Sequence, residues 1–262
     1  MAFRRVKDTS PLSGIKYNSP ESKSFLDMYE SNVSAALAEQ EQRIPSKSFA
    51  PSSIRCPRQQ WFRLRGTKPD SVSCPDATLK FIADIGTHCH ESVQRKLSSF
   101  LGDNWLDVET YLKFHAPAYK YTVHKNGYET QVRVEDPPVR FSCDGLIEFN
   151  GKVYLLEIKT SEAGAMKQLV GPKPEHLDQI MCYCTLMDVH DAMVLYQDRQ
   201  YGECKCFTYH LSDRDKAKIV NTFEEVQSYV NRNIVPPALP VGDKWCNSSY
   251  CKYFKSCRKW GM

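Results

Sequence analysis

Residues 139–160 read VRFSCDGLIEFNGKVYLLEIKT, and this stretch predicts the centre of the fold. Its β-branched and aromatic residues predict one strand over residues 139–148 and a second over residues 152–160. Asn150-Gly151 lies between them and is a strong signal for a two-residue hairpin turn. We therefore expect two antiparallel strands joined by a tight turn.

Three polar side chains make this hairpin a candidate functional site. Residues i and i+2 of a strand share a face, so Glu157 and Lys159 project together, about 6–7 Å apart, and hairpin pairing can bring Asp144 beside them. Two converging carboxylates can hold a hard divalent cation such as Mg²⁺. A neighbouring ammonium can then orient a water molecule or stabilise the charge of a phosphoryl transition state. The plainer alternative is a solvated hairpin face, since acids and lysines are common.

The composition indicates the broad class of protein. The 262 residues are 41% hydrophobic and 25% charged, as in soluble globular proteins. No apolar run approaches the roughly 20 residues that span a bilayer. The start, MAFRRVKD, lacks the apolar core of a secretion signal, so we expect an intracellular protein (cytoplasmic, or in the host cytoplasm if viral) with no membrane contact. Eleven cysteines, an odd number, favour reduced thiols, some of them binding metal, over a disulfide framework.

The net charge of +4 identifies no partner, but basic residues cluster in two stretches. Such clusters usually do no more than solvate a surface. If the two stretches meet in the folded chain, a surface that binds a polyanion such as DNA becomes the better interpretation. The stretches contain Arg55, Arg58, Arg63, Arg65 and Lys68, and Lys244, Lys252, Lys255, Arg258 and Lys259.

The rest of the chain predicts helices alternating with strands. Ser19 is a predicted helix N-cap, and Ser212 is another. This order predicts an α/β fold with a mixed sheet flanked by helices. Helices are expected over residues 19–42, 78–100, 174–189 and 212–230, strands over 111–115, 128–134, 192–197 and 203–210, extended chain over 44–53 and 234–241, and flexible chain over 1–18. The buried stripe of the second helix is expected to comprise Ile82, Ile85, Cys89, Val93 and Leu97.

Two predicted helices carry polar residues that suit the same site. His90 lies at the edge of the buried stripe of the second helix, where its nitrogen would favour Mn²⁺ as well as Mg²⁺. Gln179 and Tyr183 are four residues apart on the third helix and share a face, so they can hydrogen-bond a phosphate or a catalytic carboxylate. The alternatives are a structural histidine and the polar edge of a half-buried helix.

Four cysteines have spacing that suits a metal site. Cys246, Cys251 and Cys257 lie within a dozen residues of one another, and Cys56 lies far upstream. Together they can supply four thiolates to an iron–sulfur cluster or to zinc. The alternative, that these are buried structural cysteines, is weaker because aromatic and basic residues surround them.

Taken together, these motifs resemble the RecB-like branch of the PD-(D/E)xK nuclease superfamily. The cysteine pattern is similar to the iron–sulfur members of that branch, such as the CRISPR-associated RecB-like exonucleases and the AddB nuclease domain. The resemblance covers roughly residues 50–260. The late cysteines depart from it, because family members often show C-x2-C before the last cysteine, whereas here four residues separate Cys246 from Cys251. The matching motifs are G-x-x-x-H-E at 86–91, D-G at 144–145, E-I-K at 157–159 and Q-x-x-x-Y at 179–183.

The resemblance implies a restriction-endonuclease-like fold whose N- and C-terminal segments join at the cysteine site. It implies that Mg²⁺ or Mn²⁺ is bound by His90, Asp144, Glu157 and the backbone carbonyl of Ile158. Lys159 would position or activate the attacking water.

The resemblance also assigns the remaining candidate residues. Gln179 and Tyr183 would support the site or touch the DNA backbone. A structural 4Fe–4S cluster, with zinc as the less favoured occupant, would be held by Cys56, Cys246, Cys251 and Cys257. Glu148 and Asp136 are competing acids that rank below Asp144, because neither is followed by D-G and a long apolar strand.

We therefore expect a metal-dependent deoxyribonuclease, in particular an exonuclease, with DNA as its partner. Residues 1–50 would form a flexible segment and a helix, and residues 51–262 the nuclease domain. The resemblance implies a role in DNA recombination, repair or degradation, in a cell or a virus, and homo-oligomers occur among the relatives. Two alternatives are a catalytically silent DNA-end-binding module of a recombination or packaging complex, and a zinc-stapled regulator that reads duplex DNA.

Overall fold

A computed structural model describes residues 19–41, 46–70, 77–240, 242–247 and 251–259. These residues form a mixed α/β structure, which agrees with the predicted class. The described helices are α1 (Pro20–Glu41), α2 (Pro57–Leu64), α3 (Ala77–Leu101), α4 (Val108–His115), α5 (Ala163–Gln168), α6 (Pro174–Met187), α7 (Asp213–Asn231) and α8 (Phe254–Lys259). The described strands are β1 (Tyr121–Asn126), β2 (Glu129–Val134), β3 (Val139–Cys143), β4 (Gly145–Phe149), β5 (Lys152–Ser161), β6 (Asp191–Asp198) and β7 (Cys204–His210).

The strands form two sheets rather than the single mixed sheet that the sequence predicts. Strands β1, β2 and β3 make an antiparallel sheet. The second sheet has the order β4-β5-β6-β7, in which β5 and β6 are parallel and the outer pairs are antiparallel. Parallel neighbours need a crossover connection, and here α5 and α6 supply it. The crossover brings α6 into contact with β5.

The prediction of one strand over residues 139–148 is wrong, because the β-strand is interrupted at Asp144. Strands β3 and β4 end and begin on either side of this residue and belong to different sheets. The Asp144 carbonyl accepts a hydrogen bond from Gln94 Nε2 at 2.7 Å instead of joining a strand ladder. A Cβ on Gly145 would lie 2.6 Å from Trp105 Cη2, so only glycine lets β4 pass this close to the indole ring.

The predicted hairpin is confirmed. Asn150 and Gly151 both have positive φ, 51° and 72°, which is the combination of a type I′ turn. In the resulting register Gly145 pairs with Leu156. Asp144, which precedes Gly145, is therefore brought alongside Glu157, which follows Leu156.

The predicted strand over residues 111–115 is also wrong, because these residues lie in α4. Asp107 caps this helix, since its Oδ1 accepts the Thr110 N–H at 2.8 Å. An N-cap favours a helix over the local alternation of apolar residues that suggests a strand. Strand β1 lies outside the predicted strands, whereas β2, β6 and β7 match them.

The four predicted helices correspond to α1, α3, α6 and α7. Ser19 Oγ accepts the Ser22 N–H at 3.2 Å, and Ser212 begins α7 in a capping box. The predicted buried stripe of α3 is wrong at Ile82, which is exposed, although Val93 is buried. Residues 51–53 form a 3-10 turn rather than extended chain, and the predicted flexible segment 1–18 lies outside the described residues.

The main core lies on the α6 side of the second sheet. Strand alternation places Leu155 in this core, while Leu156 and Ile158 join Val93 in a smaller cluster on the other face. Glu157 and Lys159 share the parity of Leu155, so they face α6. Among the described helices, not one has both the length and the apolar character needed to cross a membrane.

Candidate active site

The carboxylates of Asp144 and Glu157 converge where the β-structure is interrupted between β3 and β4. Asp144 Oδ2 accepts the backbone N–H of Ile158 at 2.7 Å, across the join between β4 and β5. Glu157 is adjacent to Ile158 and is 2% exposed, while Asp144 is 8% exposed. Buried carboxylates are uncommon unless they are paired or bind a metal. This point of the sheet is therefore the strongest candidate for a functional site.

His90 reaches the same point from α3. Its Nδ1 lies 3.6 Å from Asp144 Oδ1, the carboxylate oxygen that does not bind Ile158. Close packing of the two elements permits this, because a Cβ on Gly86 would already contact Thr160 Oγ1 of β5 at 3.4 Å. The His90 side chain is 27% exposed, so it lies on the open side of the cluster.

Lys159 connects Glu157 to α6. Its Nζ donates to Glu157 Oε1 at 2.5 Å and to Gln179 Oε1 at 3.3 Å. Gln179 Nε2 in turn donates to the Tyr183 hydroxyl at 2.6 Å. The structure therefore joins the predicted residues of β5 and α6 in one hydrogen-bonded chain.

Tyr183 supports this chain from within the core. It is 4% exposed, and its ring stacks on Phe141 of β3 at a centroid distance of 4.5 Å. Burial raises the pKa of Tyr183 well above its usual value, with the Glu157 carboxylate adding to the effect. The buried Tyr183 hydroxyl thus positions Gln179 from the core side of α6, and it is not exposed at a surface that DNA could contact.

Burial changes the proton affinities of the central pair. It raises the pKa of Glu157 to about 7; the Lys159 ammonium opposes this effect and the Asp144 carboxylate reinforces it. Burial alone would lower the pKa of Lys159, but the carboxylates of Glu157 and Asp144 outweigh it and the pKa is raised. At neutral pH Lys159 is a cation, and Glu157 is close to its protonation midpoint. Perturbed carboxyl groups of this kind concentrate at functional sites.

The donor chemistry of the cluster fits a hard divalent cation. Glu157 Oε2 is buried and accepts no hydrogen bond from any described residue. Such an acceptor costs free energy, and a cation coordinated by carboxylates and an imidazole would satisfy it. The side chains are not yet arranged for this, since no group of three or more His, Cys, Asp or Glu residues in the described part of the chain is placed to hold a metal ion. Lys159 occupies Glu157 Oε1, so binding requires these side chains to turn.

The sequence does not predict two features of the site, one beside Lys159 and one beside Asp144. Tyr196 is the register partner of Lys159 on β6, and its hydroxyl lies 2.6 Å from His176 Nδ1 and accepts the Lys173 N–H at 3.0 Å. Burial, with the charges of Lys159 and Lys173, lowers the pKa of His176 to about 3, so the imidazole is neutral. Gln94, which holds the Asp144 carbonyl, is the second of these features. No motif signals these contacts, because they join residues of separate elements.

The four predicted cysteines converge between α2 and α8, where all of them line one small pocket. The buried Arg58 side chain lies there too and donates from Nη1 to Cys257 Sγ at 3.5 Å. Burial raises the pKa of Cys56 to about 11, and the neighbouring cysteines add to this shift. Burial likewise raises the pKa of Cys251. Four converging thiols beside a buried guanidinium suit a metal that binds them as thiolates. The free sulfur atoms do not stand in metal-holding positions within the described chain.

Asp70 attaches the cysteine-bearing α8 to the N-terminal half of the chain. Its carboxylate accepts the N–H groups of Lys255 at 2.6 Å and Ser256 at 3.1 Å, and the Ser256 hydroxyl at 2.5 Å. The two basic stretches meet at the same junction, where the Arg55 guanidinium lies 6.0 Å from the centre of the Trp245 ring and lines a cavity with Lys252. The condition for a polyanion-binding surface is thus met.

The competing acids lie apart from this cluster. Glu148 is exposed on β4, and Asp136 is exposed in the turn between β2 and β3. Neither makes a described hydrogen bond to the residues around Glu157. Both therefore serve as natural controls for substitutions of the buried acids.

Comparisons with known proteins add structural likenesses. Neither a protein-family model nor a curated protein matches the chain. The crystal structure of SSO0001 is 13% identical, with 92% of this chain and 98% of that one covered at a TM-score of 0.49. The alkaline exonuclease LHK-Exo from Laribacter hongkongensis is 12% identical, with 78% and 93% covered at 0.42. LHK-Exo in complex with dAMP is 19% identical, with 47% and 67% covered at 0.35. All three TM-scores lie below 0.5, so the interpretation rests on the chain's own residues.

Proposed function

We propose that this chain is a metal-dependent deoxyribonuclease of the RecB-like PD-(D/E)xK type, acting as an exonuclease. One observation carries the proposal: Asp144, Glu157 and Lys159 meet where the β-structure is interrupted between β3 and β4. In this cluster, a buried oxygen of Glu157 accepts no hydrogen bond from the described residues. Burying two carboxylates and an ammonium costs desolvation free energy. DNA binding alone does not require buried carboxylates, whereas metal-dependent catalysis does use such a cluster.

His90, Asp144, Glu157 and the Ile158 carbonyl are the proposed ligands for Mg²⁺ or Mn²⁺. When bound, such a cation polarises a phosphoryl oxygen and lowers the pKa of a coordinated water. Lys159 is a cation at neutral pH and can donate hydrogen bonds to the attacking water or to a non-bridging phosphate oxygen. Gln179 accepts a hydrogen bond from the Lys159 ammonium and is itself held by Tyr183, so it can keep the ammonium near the acids when the side chains turn to bind the metal.

Cys56, Cys246, Cys251 and Cys257 are the proposed ligands of a structural 4Fe–4S cluster, with zinc as the alternative occupant. Their convergence on one pocket supports this assignment. The site would tie α2 to α8 and so hold the two basic stretches on one surface. That surface is the proposed contact for the phosphates of DNA.

End-labelled linear DNA, single- and double-stranded, provides the test, with circular DNA as the control for internal cutting. With Mn²⁺ the purified chain should shorten linear DNA from an end and leave circles intact, and EDTA should stop the reaction. Binding without metal-dependent turnover would indicate a catalytically silent DNA-end-binding module and would overturn the enzyme assignment.

The cysteine site has its own test in the metal content of anaerobically purified protein. About four iron atoms per chain, with a brown visible absorption, would support the cluster. Stoichiometric zinc in colourless protein would replace the iron assignment and leave the nuclease proposal standing. The absence of both iron and zinc from the purified protein would refute the proposed metal site.

A further inference from the structure

We propose that the cavity between α2 and the first turns of α6 binds one nucleotide of a single-stranded DNA end, with its base stacked on Trp245. The inference rests on the proposed nuclease function and names a substrate contact outside the acid and lysine cluster. The cavity has a volume of about 360 Å³, within the range of small-ligand sites.

The position of the cavity relates it to the candidate active site. Glu175 and Asp178 of α6 line the cavity, while Gln179 of the same helix binds Lys159. Gln179 follows Asp178 directly and lies one turn after Glu175, so the two sites border the same turns of α6, and an α-helix with its side chains is only about 10–12 Å across. A DNA strand that crosses the N-terminal end of α6 can occupy both.

The charge of the cavity favours a phosphate. Arg55, Arg63 and Lys252 line it. Asp178 is already neutralised, since Arg55 Nε donates to its Oδ2 at 2.8 Å and Lys218 Nζ lies 3.9 Å from its Oδ1. Lys252 makes no ion pair with a described residue, and its ammonium can therefore meet a phosphate without breaking a contact. A nucleotide phosphate placed here can pair with the Lys252 ammonium, while Arg55 remains paired with Asp178.

The remaining lining groups favour a base. Trp245 is half-buried, and Lys244 Nζ lies 4.7 Å from the centre of its ring. The Lys244 side chain is 65% exposed, so it can leave the ring to a stacking base at little cost. Glu175 Oε2 accepts no hydrogen bond from a described residue, and Lys244 Nζ lies 3.9 Å from it. When Lys244 turns away from the ring, this oxygen can accept a hydrogen bond from a base N–H group. The Trp245 ring, the Glu175 carboxylate and the Lys252 ammonium thus offer a stacking surface, a hydrogen-bond acceptor and a cation to one nucleotide.

The test measures the binding of a fluorescently labelled 15-nucleotide single strand in EDTA, where no cleavage occurs. Trp245→Leu should weaken binding roughly ten-fold, while Trp245→Phe, which keeps a stacking ring, should stay within about three-fold of the unmodified chain. Lys252→Ala should reduce the slope of log affinity against log salt by about 0.7, whereas Lys96→Ala, an exposed lysine of α3, should leave it unchanged. Lys252 is also exposed, so its replacement does not threaten the fold.

A second comparison uses the unmodified chain and needs no variant. A strand of equal length without bases should bind about ten-fold more weakly than the normal strand if a base enters the cavity. Equal affinity for the two strands, or equal affinity of the Leu and Phe variants, would overturn the inference. DNA cleavage is measured separately: a chain that cleaves DNA but fails these tests loses only the nucleotide subsite. A chain that passes them but does not cleave loses only the nuclease function.

Discussion

At the scale of single residues, the Glu157–Lys159 pair dominates the chemistry. Both lie on one face of β5, which follows from their i and i+2 spacing and could be predicted from the sequence. The partners of the pair were only partly predictable. Helical spacing with Tyr183 predicts Gln179 as a partner of a phosphate or a carboxylate, whereas the structure has it accept a hydrogen bond from Lys159. The position of Tyr196 beside Lys159 depends on the register of β5 with β6, which no local pattern encodes.

The raised pKa of Glu157 predicts a pH dependence of stability. Because the carboxyl has a pKa of about 7 when folded and about 4.5 when unfolded, the folded chain binds more protons between these values. The free energy of unfolding should therefore fall as pH rises from 4.5 to 7. In EDTA, we expect this fall to be about 1–3 kcal/mol larger for the unmodified chain than for Glu157→Gln. Urea titrations at several pH values measure it, and parallel pH profiles for the two proteins would show that Glu157 is not buried as a titrating acid.

At the scale of elements, the break between β3 and β4 positions Asp144. The hairpin turn was predictable because Asn-Gly accepts two positive φ values. The interruption between β3 and β4 could not be predicted, because an apolar run of this length looks like one strand. The residues that cause the interruption lie far away in the sequence. Those causes are the Gln94 hydrogen bond to the Asp144 carbonyl and the Trp105 ring packed on Gly145.

Gly145→Ala tests the role of this close packing. The added Cβ would meet the Trp105 ring at 2.6 Å, so either the ring or β4 must shift. We expect a loss of about 1–3 kcal/mol in the free energy of unfolding, together with reduced DNA cleavage, because Asp144 is the neighbouring residue. Gly164→Ala is the matched control, since nothing lies within 4 Å of its Cβ position, and it should be neutral or slightly stabilising. Equal stability of the two variants would refute the packing argument.

At the scale of the whole molecule, residues almost 200 positions apart close the structure at the cysteine pocket. The cysteine spacing indicates that these residues can meet in one metal site, and the two basic stretches are expected on one surface only if they do. The division into two sheets could not be predicted, because strand order is decided by long-range pairing. The hydrogen bonds of Asp70 to α8 are equally hidden in the sequence, since one acidic residue in a loop carries no signal of its distant partner.

Removal of a cysteine ligand should destabilise the molecule as a whole. If Cys56 is a ligand of the proposed metal, Cys56→Ser should release that metal and lower the melting temperature by several degrees, because the link between α2 and α8 is lost. Cys204→Ser provides the control, as Cys204 is exposed on β7 outside the pocket, and it should change neither quantity. Differential scanning calorimetry with metal analysis measures both effects. Retention of full metal content by Cys56→Ser would exclude this residue as a ligand.

Catalysis by the buried acids is tested most directly by the rate at which two variants of the same hairpin cleave DNA with Mn²⁺. Glu157→Gln removes the buried carboxylate, and Glu148→Gln removes an exposed one on the neighbouring strand. We predict a loss on the order of 100-fold or more for Glu157→Gln and an unchanged rate for Glu148→Gln. Cleavage by Glu157→Gln at the rate of the unmodified chain would contradict this prediction.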